Sequence, residues 1–285
     1  MTSRSPRVEL LVNALRQLFS IHGPKKLLAR RSEVPDFLAT VLFDESYRGM
    51  SWADEANLLR NSMLSLERLS KSTNPRFLPK SITDVLPDMS QDADCTALGE
   101  LFAHHGSDKS TVSDYHLIYA ALLNGKRWTP LDILEIGLGT YHLDTPSNMG
   151  RKGVPGASLR GFRDWAPHAH VRGADIDRRI LFSEERITTY FVDQNDPESL
   201  AELAAKLAPN SLDLFIDDGL HTAQANLNSL CFALPLVRSN GYVVTEDIDQ
   251  VDLPWWQIAF ALLGNSYRCD ILRTKSAFAA LVKKA

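Results

Sequence analysis

The sequence predicts an α/β fold: a doubly wound, mostly parallel sheet closed by an antiparallel hairpin and preceded by an α-helical N-terminal region. Three observations lead there. Beyond about residue 93, short apolar runs alternate with amphipathic stretches, as buried strands and covering helices of a parallel sheet do. Those runs end in acidic residues or pass straight into glycine, which puts polar groups at the carboxyl ends of strands, where an open α/β sheet binds its ligands. Before residue 70, by contrast, apolar residues recur at helical spacing, as in Leu11, Leu15, Leu18 and Phe19.

Taken in order, the helical pattern runs from Val8 to Leu69, broken at His22-Gly23-Pro24 and near Arg48-Gly49-Met50. Residues 72–92 hold three prolines and several Ser and Asp, a composition suited to a linker wrapping a surface rather than to a core element. The chain therefore divides into a helical leader with linker, 1–92, and an α/β domain, 93–285. Next come Gly106-Ser107-Asp108-Lys109 and an amphipathic helix. Five strand-like runs follow: 131–136 (LDILEI), 170–175 (HVRGAD), 187–193 (ITTYFVD), 212–218 (LDLFIDD) and 241–247 (GYVVTED). Two last runs, 267–274 and 276–284, are separated by almost nothing. They read as an antiparallel hairpin, because a parallel pair needs a crossover of a dozen or more residues.

Composition narrows the function. With 285 residues and 44% hydrophobic content the chain can bury a full core. The net charge of -4, with no Lys/Arg block long enough to track a phosphate backbone, argues against nucleic acid or an anionic membrane surface as partner. A neutral or polar small molecule suits it better. The first residues lack the apolar core of a signal peptide, and no stretch approaches a membrane span, so the expected location is cytoplasmic. Cys95, Cys231 and Cys269 share no CxxC spacing and are expected to be buried small apolar residues.

After the first strand, Glu135-Ile136-Gly137-Leu138-Gly139-Thr140 lets the backbone turn sharply and pass close to a ligand. A dinucleotide fingerprint would need a third glycine opening the helix, where this chain has Tyr141 and His142. The ExGxG segment resembles motif I of class I S-adenosylmethionine-dependent methyltransferases, whose acid lies near the methionine amino end of the cofactor while the glycines back it. The second strand ends at Asp175, which can accept both ribose hydroxyl protons, with Asp177 as the fallback. The usual gap to this acid is about 20 residues, yet forty positions separate it from Glu135. The excess lies in the Gly/Pro/Asn-containing stretch 140–156, read as a loop over the cofactor or substrate. Asp193 resembles the family's residue beside the adenine amine. Lys109, Tyr115 and His116 resemble a G-[ST]-D-K segment and following helix that pack against the cofactor in sugar and macrolide O-methyltransferases of this class.

The chemistry is expected where IDDGLH (216–221) and TED (245–247) meet on adjacent strand ends. Four carboxylates converging there repel one another, and a divalent cation resolves the repulsion. An all-oxygen set without cysteine selects a hard ion such as Mg2+. The spacing resembles metal-dependent O-methyltransferases, which implies a ligand set drawn from Asp217, Asp218, Glu246 and Asp247. Asp217 also counts among the cofactor-binding candidates with Glu135, Gly137, Gly139, Asp175, Asp177, Asp193, Lys109 and Tyr115. His221 follows those aspartates and is the expected general base, with Asp218 beside it in the catalytic pair.

Taken together, GSDK, EIGLGT, GADID, IDDGLH and TEDI, spread over about residues 97–285, resemble mycinamicin-type macrolide and sugar O-methyltransferases. The resemblance implies a Rossmann-like, seven-stranded methyltransferase sheet, S-adenosylmethionine and Mg2+ as cofactors, and a sugar-containing small-molecule acceptor. Competing expectations are a metal-independent carboxyl or N-methyltransferase, a hydroxylase-type relative needing an oxidant partner, and a non-catalytic cofactor-binding scaffold. The leader, with Phe19, Phe37 and Phe43, could cover the acceptor pocket or form a homo-oligomer surface, and Trp255 and Trp256 could stack on the acceptor or pack in the core.

Overall fold

The computed structural model describes residues 61, 64–66, 68, 69, 72 and 77–285. The described residues before 77 are helical. Phe19, Phe37 and Phe43, and most of the expected leader, lie outside the described residues.

Strands and helices alternate as the sequence suggests. In chain order they are β1 (Lys80–Ser81), α1 (Ile82–Val85), α2 (Ala93–His105), α3 (Tyr115–Leu122), β2 (Asp132–Ile136), α4 (Ala157–Trp165), β3 (His170–Asp175), β4 (Ser183–Glu184) and β5 (Ile187–Phe191). There follow α5 (Pro197–Ala204), β6 (Leu212–Asp217), α6 (Ala223–Ala233), β7 (Val237–Ile248), α7 (Leu253–Leu263), β8 (Tyr267–Arg273) and β9 (Phe278–Lys284). All seven strand-like runs of the sequence are strands. The two-residue β1 and β4 are additions at the sheet's edges.

The sheet order is β1-β8-β9-β7-β6-β2-β3-β5-β4. β2, β3, β5, β6 and β7 are mutually parallel, and β9 lies antiparallel between β7 and β8. Alternation along each strand sends side chains to two helical layers. Ile133, Val171, Leu214, Ile216 and Val244 pack into one core with Phe102, Tyr119, Leu159 and Phe162 of α2, α3 and α4. Leu134, Ile136, Phe215 and Val243 pack into the other with Leu200, Leu230, Trp256 and Phe260 of α5, α6 and α7.

Helix starts follow ordinary capping chemistry. Asp92 accepts from the Cys95 amide ahead of α2, Asp196 from that of Glu198 ahead of α5, and Thr222 from that of Ala225 ahead of α6. Residues 77–92, expected as a linker on the surface, also contribute β1 and bury Phe77, Ile82 and Met89. Cys95 and Cys269 are buried, and Cys231 is half-buried. Among the described residues no helix is long and apolar enough to cross a membrane.

Candidate active site

The carboxyl ends of the parallel strands line up. Ile136 is the register partner of Ala174 and Asp217, Asp175 of Phe191, and Asp217 of Thr245. A cleft of about 430 Å³ opens above them. Gly137, Gly139, Asp175 and Asp193 line one part, and Asp218, His221, Glu246 and Asp247 line another. Tyr115 closes a side, and the 140–156 loop reaches in with Pro146, Ser147, Asn148 and Met149.

Gly137 makes the first turn possible. Its φ is +99°, and a Cβ there would stand 1.9 Å from the Asp218 carbonyl oxygen, so no other residue fits without moving β6. Asp175 secures the same turn, its two carboxylate oxygens accepting from the amides of Leu138 at 2.7 Å and Asp177 at 2.8 Å. Burial pushes its carboxyl above the usual range, against those backbone hydrogen bonds. Asp177 lies away from the cleft lining. It accepts from Thr140 at 2.7 Å and Thr145 at 3.3 Å and pairs with Arg179 at 2.6 Å, which holds it below the usual carboxylate range. Its part is to pin the loop. Met149 N–H donates to the Thr140 carbonyl at 2.9 Å and Gly156 N–H to that of Leu138 at 2.8 Å, bracing the loop further.

Strand alternation separates the acids at the other end. Glu135, Asp218 and Glu246 fall on the face covered by α3, where Lys109 enters from the segment between α2 and α3. The buried Lys109 ammonium lies 2.6 Å from Asp218 Oδ2, 2.7 Å from Glu246 Oε2 and 3.2 Å from Glu135 Oε1. Burial opposes its charge, but the three carboxylates hold its pKa well above the ordinary lysine value. Tyr119 donates to the other oxygen of Glu246, and Ser158 donates to Glu135 Oε2 at 2.6 Å. Burial pushes Glu246 well above the usual carboxylate range, with Lys109 opposing. The repulsion expected among bare acids is thus partly met by a lysine that belongs to the chain.

Asp217 points the opposite way. Gln194 donates to it at 2.6 Å and to Ser229 of α6 at 2.7 Å, while Asp217 Oδ2 has no partner. Burial pushes its carboxyl up to about 7, against the Gln194 hydrogen bond.

Asp218, His221 and Asp247 present ligand atoms within 4.8 Å of one another, a set that could hold a metal ion. His221 Nε2 is 3.8 Å from Asp218 Oδ1, and its Nδ1 is buried without a partner. Asp247 accepts from Tyr115 OH at 2.8 Å, and its own N–H donates to that oxygen at 2.8 Å. His221 and Asp247 both have positive φ, 56° and 51°, the kind of backbone strain that concentrates at functional sites. In the β7–β9 pairing the register shifts between Thr245 and Ile248, which frees Asp247 from plain alternation.

Of the four expected metal ligands the structure brings Asp218 and Asp247 together, with His221 added. Asp217 is on the other face of the sheet, and Glu246 is taken up by Lys109 and Tyr119. Lys109 and Glu135 lie beneath the cleft, not in its lining. His116 is half-buried outside it, and Trp256 is core, edge-on to Phe260. Sequence reasoning missed Tyr119 and Gln194. Tyr119 lies one helical turn beyond Tyr115, a spacing that could have flagged it; Gln194, in an ordinary polar loop, gives no such signal.

No family model matches the chain. It is 31% identical over 167 residues, 59% of the chain, to 8-demethyl-8-alpha-L-rhamnosyl tetracenomycin-C 2'-O-methyltransferase of Streptomyces olivaceus, covering 42% of that protein. It is 37% identical over 116 residues, 41% of the chain, to demethylmacrocin O-methyltransferase of Streptomyces fradiae, covering 27% of that protein. The chain thus spans less than half the length of these curated relatives. Among solved structures, the MycE methyltransferase from the mycinamycin biosynthetic pathway, in complex with Mg and SAH, aligns with a TM-score of 0.53 at 24% identity, over 66% of this chain and 55% of the other. The chain has the class I methyltransferase fold and resembles the sugar and macrolide O-methyltransferases in sequence.

Proposed function

We propose that the chain is an S-adenosylmethionine-dependent methyltransferase that methylates a hydroxyl of a sugar or glycosylated small molecule, with Mg2+ as its metal. The observation that carries this reading is a single cleft in which the glycine turn, Asp175 and Asp193 face Asp218, His221 and Asp247. Asp175 and Asp193 can accept from nucleoside hydroxyl and amine donors, and the turn at Gly137 and Gly139 leaves room for a close ligand. We place the division between leader and methyltransferase domain at 92/93, with residues 77–92 clasping the domain's edge.

Asp218 and Asp247 would hold the cation. Magnesium is usually bound through one or two carboxylates, keeping its remaining positions for water or substrate oxygens, so His221 stays free to act on a proton. When bound, the ion lowers the pKa of an acceptor hydroxyl beside it. His221 would take that proton, and the cleft walls would orient the acceptor hydroxyl beside it. S-adenosylmethionine, when held in this cleft, would supply an electrophilic sulfonium methyl and a neutral thioether as its leaving group. The relatives' names, which specify glycosylated acceptors, support the substrate class.

One observation favours a second reading. Lys109 already neutralises part of the acid cluster, which suits a metal-independent carboxyl or N-methyltransferase. Incubation with methyl-labelled S-adenosylmethionine and a panel of glycosides separates the two. O-methyl ethers whose formation falls at least tenfold with chelator support the first; methyl esters or N-methyl products of acidic or amino glycosides, formed at an undiminished rate in chelator, support the second. His221→Ala should lower turnover by about 10²- to 10⁴-fold with cofactor affinity kept, and unchanged turnover would remove it as the base.

A further inference from the structure

We infer that Lys109 is a resident counterion of the acid cluster, a positioning residue that competes with the divalent cation for Asp218 and Glu246. The inference rests on the metal-binding part of the function proposed above.

The geometry carries it. The Lys109 ammonium donates to Asp218, just past β6, and to Glu246 of β7, and forms an ion pair with Glu135 of β2, so it meets acids on three adjacent strand ends. Both oxygens of Glu246 already have a partner, Lys109 on Oε2 and Tyr119, which donates to Oε1. Asp218 is split: Oδ2 is held inward by Lys109, and Oδ1 is left toward His221. The Tyr115 ring, whose centroid is 5.8 Å from the ammonium, stands beside it and lines the cleft where Lys109 does not. A cation entering from the cleft therefore meets Asp247, one oxygen of Asp218 and a positive charge directly behind them. Coulomb repulsion between that charge and the ion must lower the ion's affinity, and the loss grows with burial. Lys109 also fixes which Asp218 oxygen faces the reacting groups.

A lysine that merely stiffened the fold would, when removed, weaken metal binding or leave it unchanged. A competing cation does the reverse. Titration calorimetry with Mg2+ on the full chain, without cofactor or acceptor, reads the difference. Lys109→Met should bind Mg2+ at least tenfold more tightly than the wild type, and should gain measurable binding even where the wild type shows none. That last result would count against the metal-dependent mechanism while supporting this inference. Equal or weaker affinity in a folded Lys109→Met protein overturns it. Because the single substitution strips three buried acids of their counterion, a second pair guards against misfolding. Lys109→Met in a Glu246→Gln background has one acid fewer to leave uncompensated, and it should bind Mg2+ at least tenfold more tightly than Glu246→Gln alone. No gain in that background overturns the inference as well.

Discussion

Asp217 and Asp218 are chain neighbours whose surroundings differ in every respect that matters to a carboxylate: Asp217 is sealed under α6 beside Gln194 and Ser229, and Asp218 faces Lys109, His221 and the cleft. Nothing in the letters DD distinguishes them. At a strand end successive side chains point to opposite faces, so a shift of one position exchanges a buried acid for one that lines the cleft. The pairing of Lys109 with Asp218 and Glu246 was equally hidden, because it joins positions more than a hundred residues apart. That the glycine turn, Asp175, Asp193 and His221 line one cleft was legible, because the carboxyl ends of strands in an open α/β sheet face a common crevice. Asp217 also supports a pH prediction. With its carboxyl raised to about 7 by burial, the native state keeps a proton that the unfolded chain, at 3.8, has lost. Stability thus falls as pH rises through that window. In chelator, Asp217→Asn should abolish this fall, gaining on the order of 3 kcal/mol relative to the wild type between pH 4 and pH 8. Urea unfolding at both pH values checks it, and parallel curves would mean that Asp217 ionises normally in the fold.

Among elements, the strands were readable because parallel strands buried on both faces are continuous apolar runs. β1 and β4 escaped notice because two residues carry no period, and the first turn of β7, Val237–Asn240, because it is mostly polar. The loop at 140–156 was visible as an excess of length but not as a braced object. Its bracing gathers on Asp177, which accepts from Thr140 and Thr145 and pairs with Arg179, itself paired to Asp144 at 2.9 Å. Asp177→Ala should therefore loosen the loop alone. Amide hydrogen exchange at residues 141–150 is expected to quicken at least tenfold, about 1.4 kcal/mol of local stability, with β6 unaffected. Unchanged exchange in the loop would assign its order to the backbone bonds of Met149 and Gly156.

For the molecule as a whole, the strap at 77–92 ties chain far upstream of β2 to the last strands. Phe77 packs edge-on against Phe260 with ring centroids 5.5 Å apart, and Lys80 pairs with Asp270 at 2.7 Å. Phe77→Ala should cost about 3 kcal/mol of global stability by the usual truncation of a buried aromatic. Chemical denaturation measures it, and a loss under about 1 kcal/mol would show the strap to be loosely attached.

The placing of β9 between β7 and β8 sets an order on synthesis. As the nascent chain emerges, β8 is made before the strand that must separate it from the sheet, so it has no site to join. Until residues 278–284 appear, β7 presents a bare edge of amides and carbonyls, the kind of surface that recruits strands from other chains. β8 and β9 therefore dock as a ready-made hairpin. Lys80, 190 residues before its partner Asp270, waits longest of all, so one of the first described strands to be translated is the last to find its place.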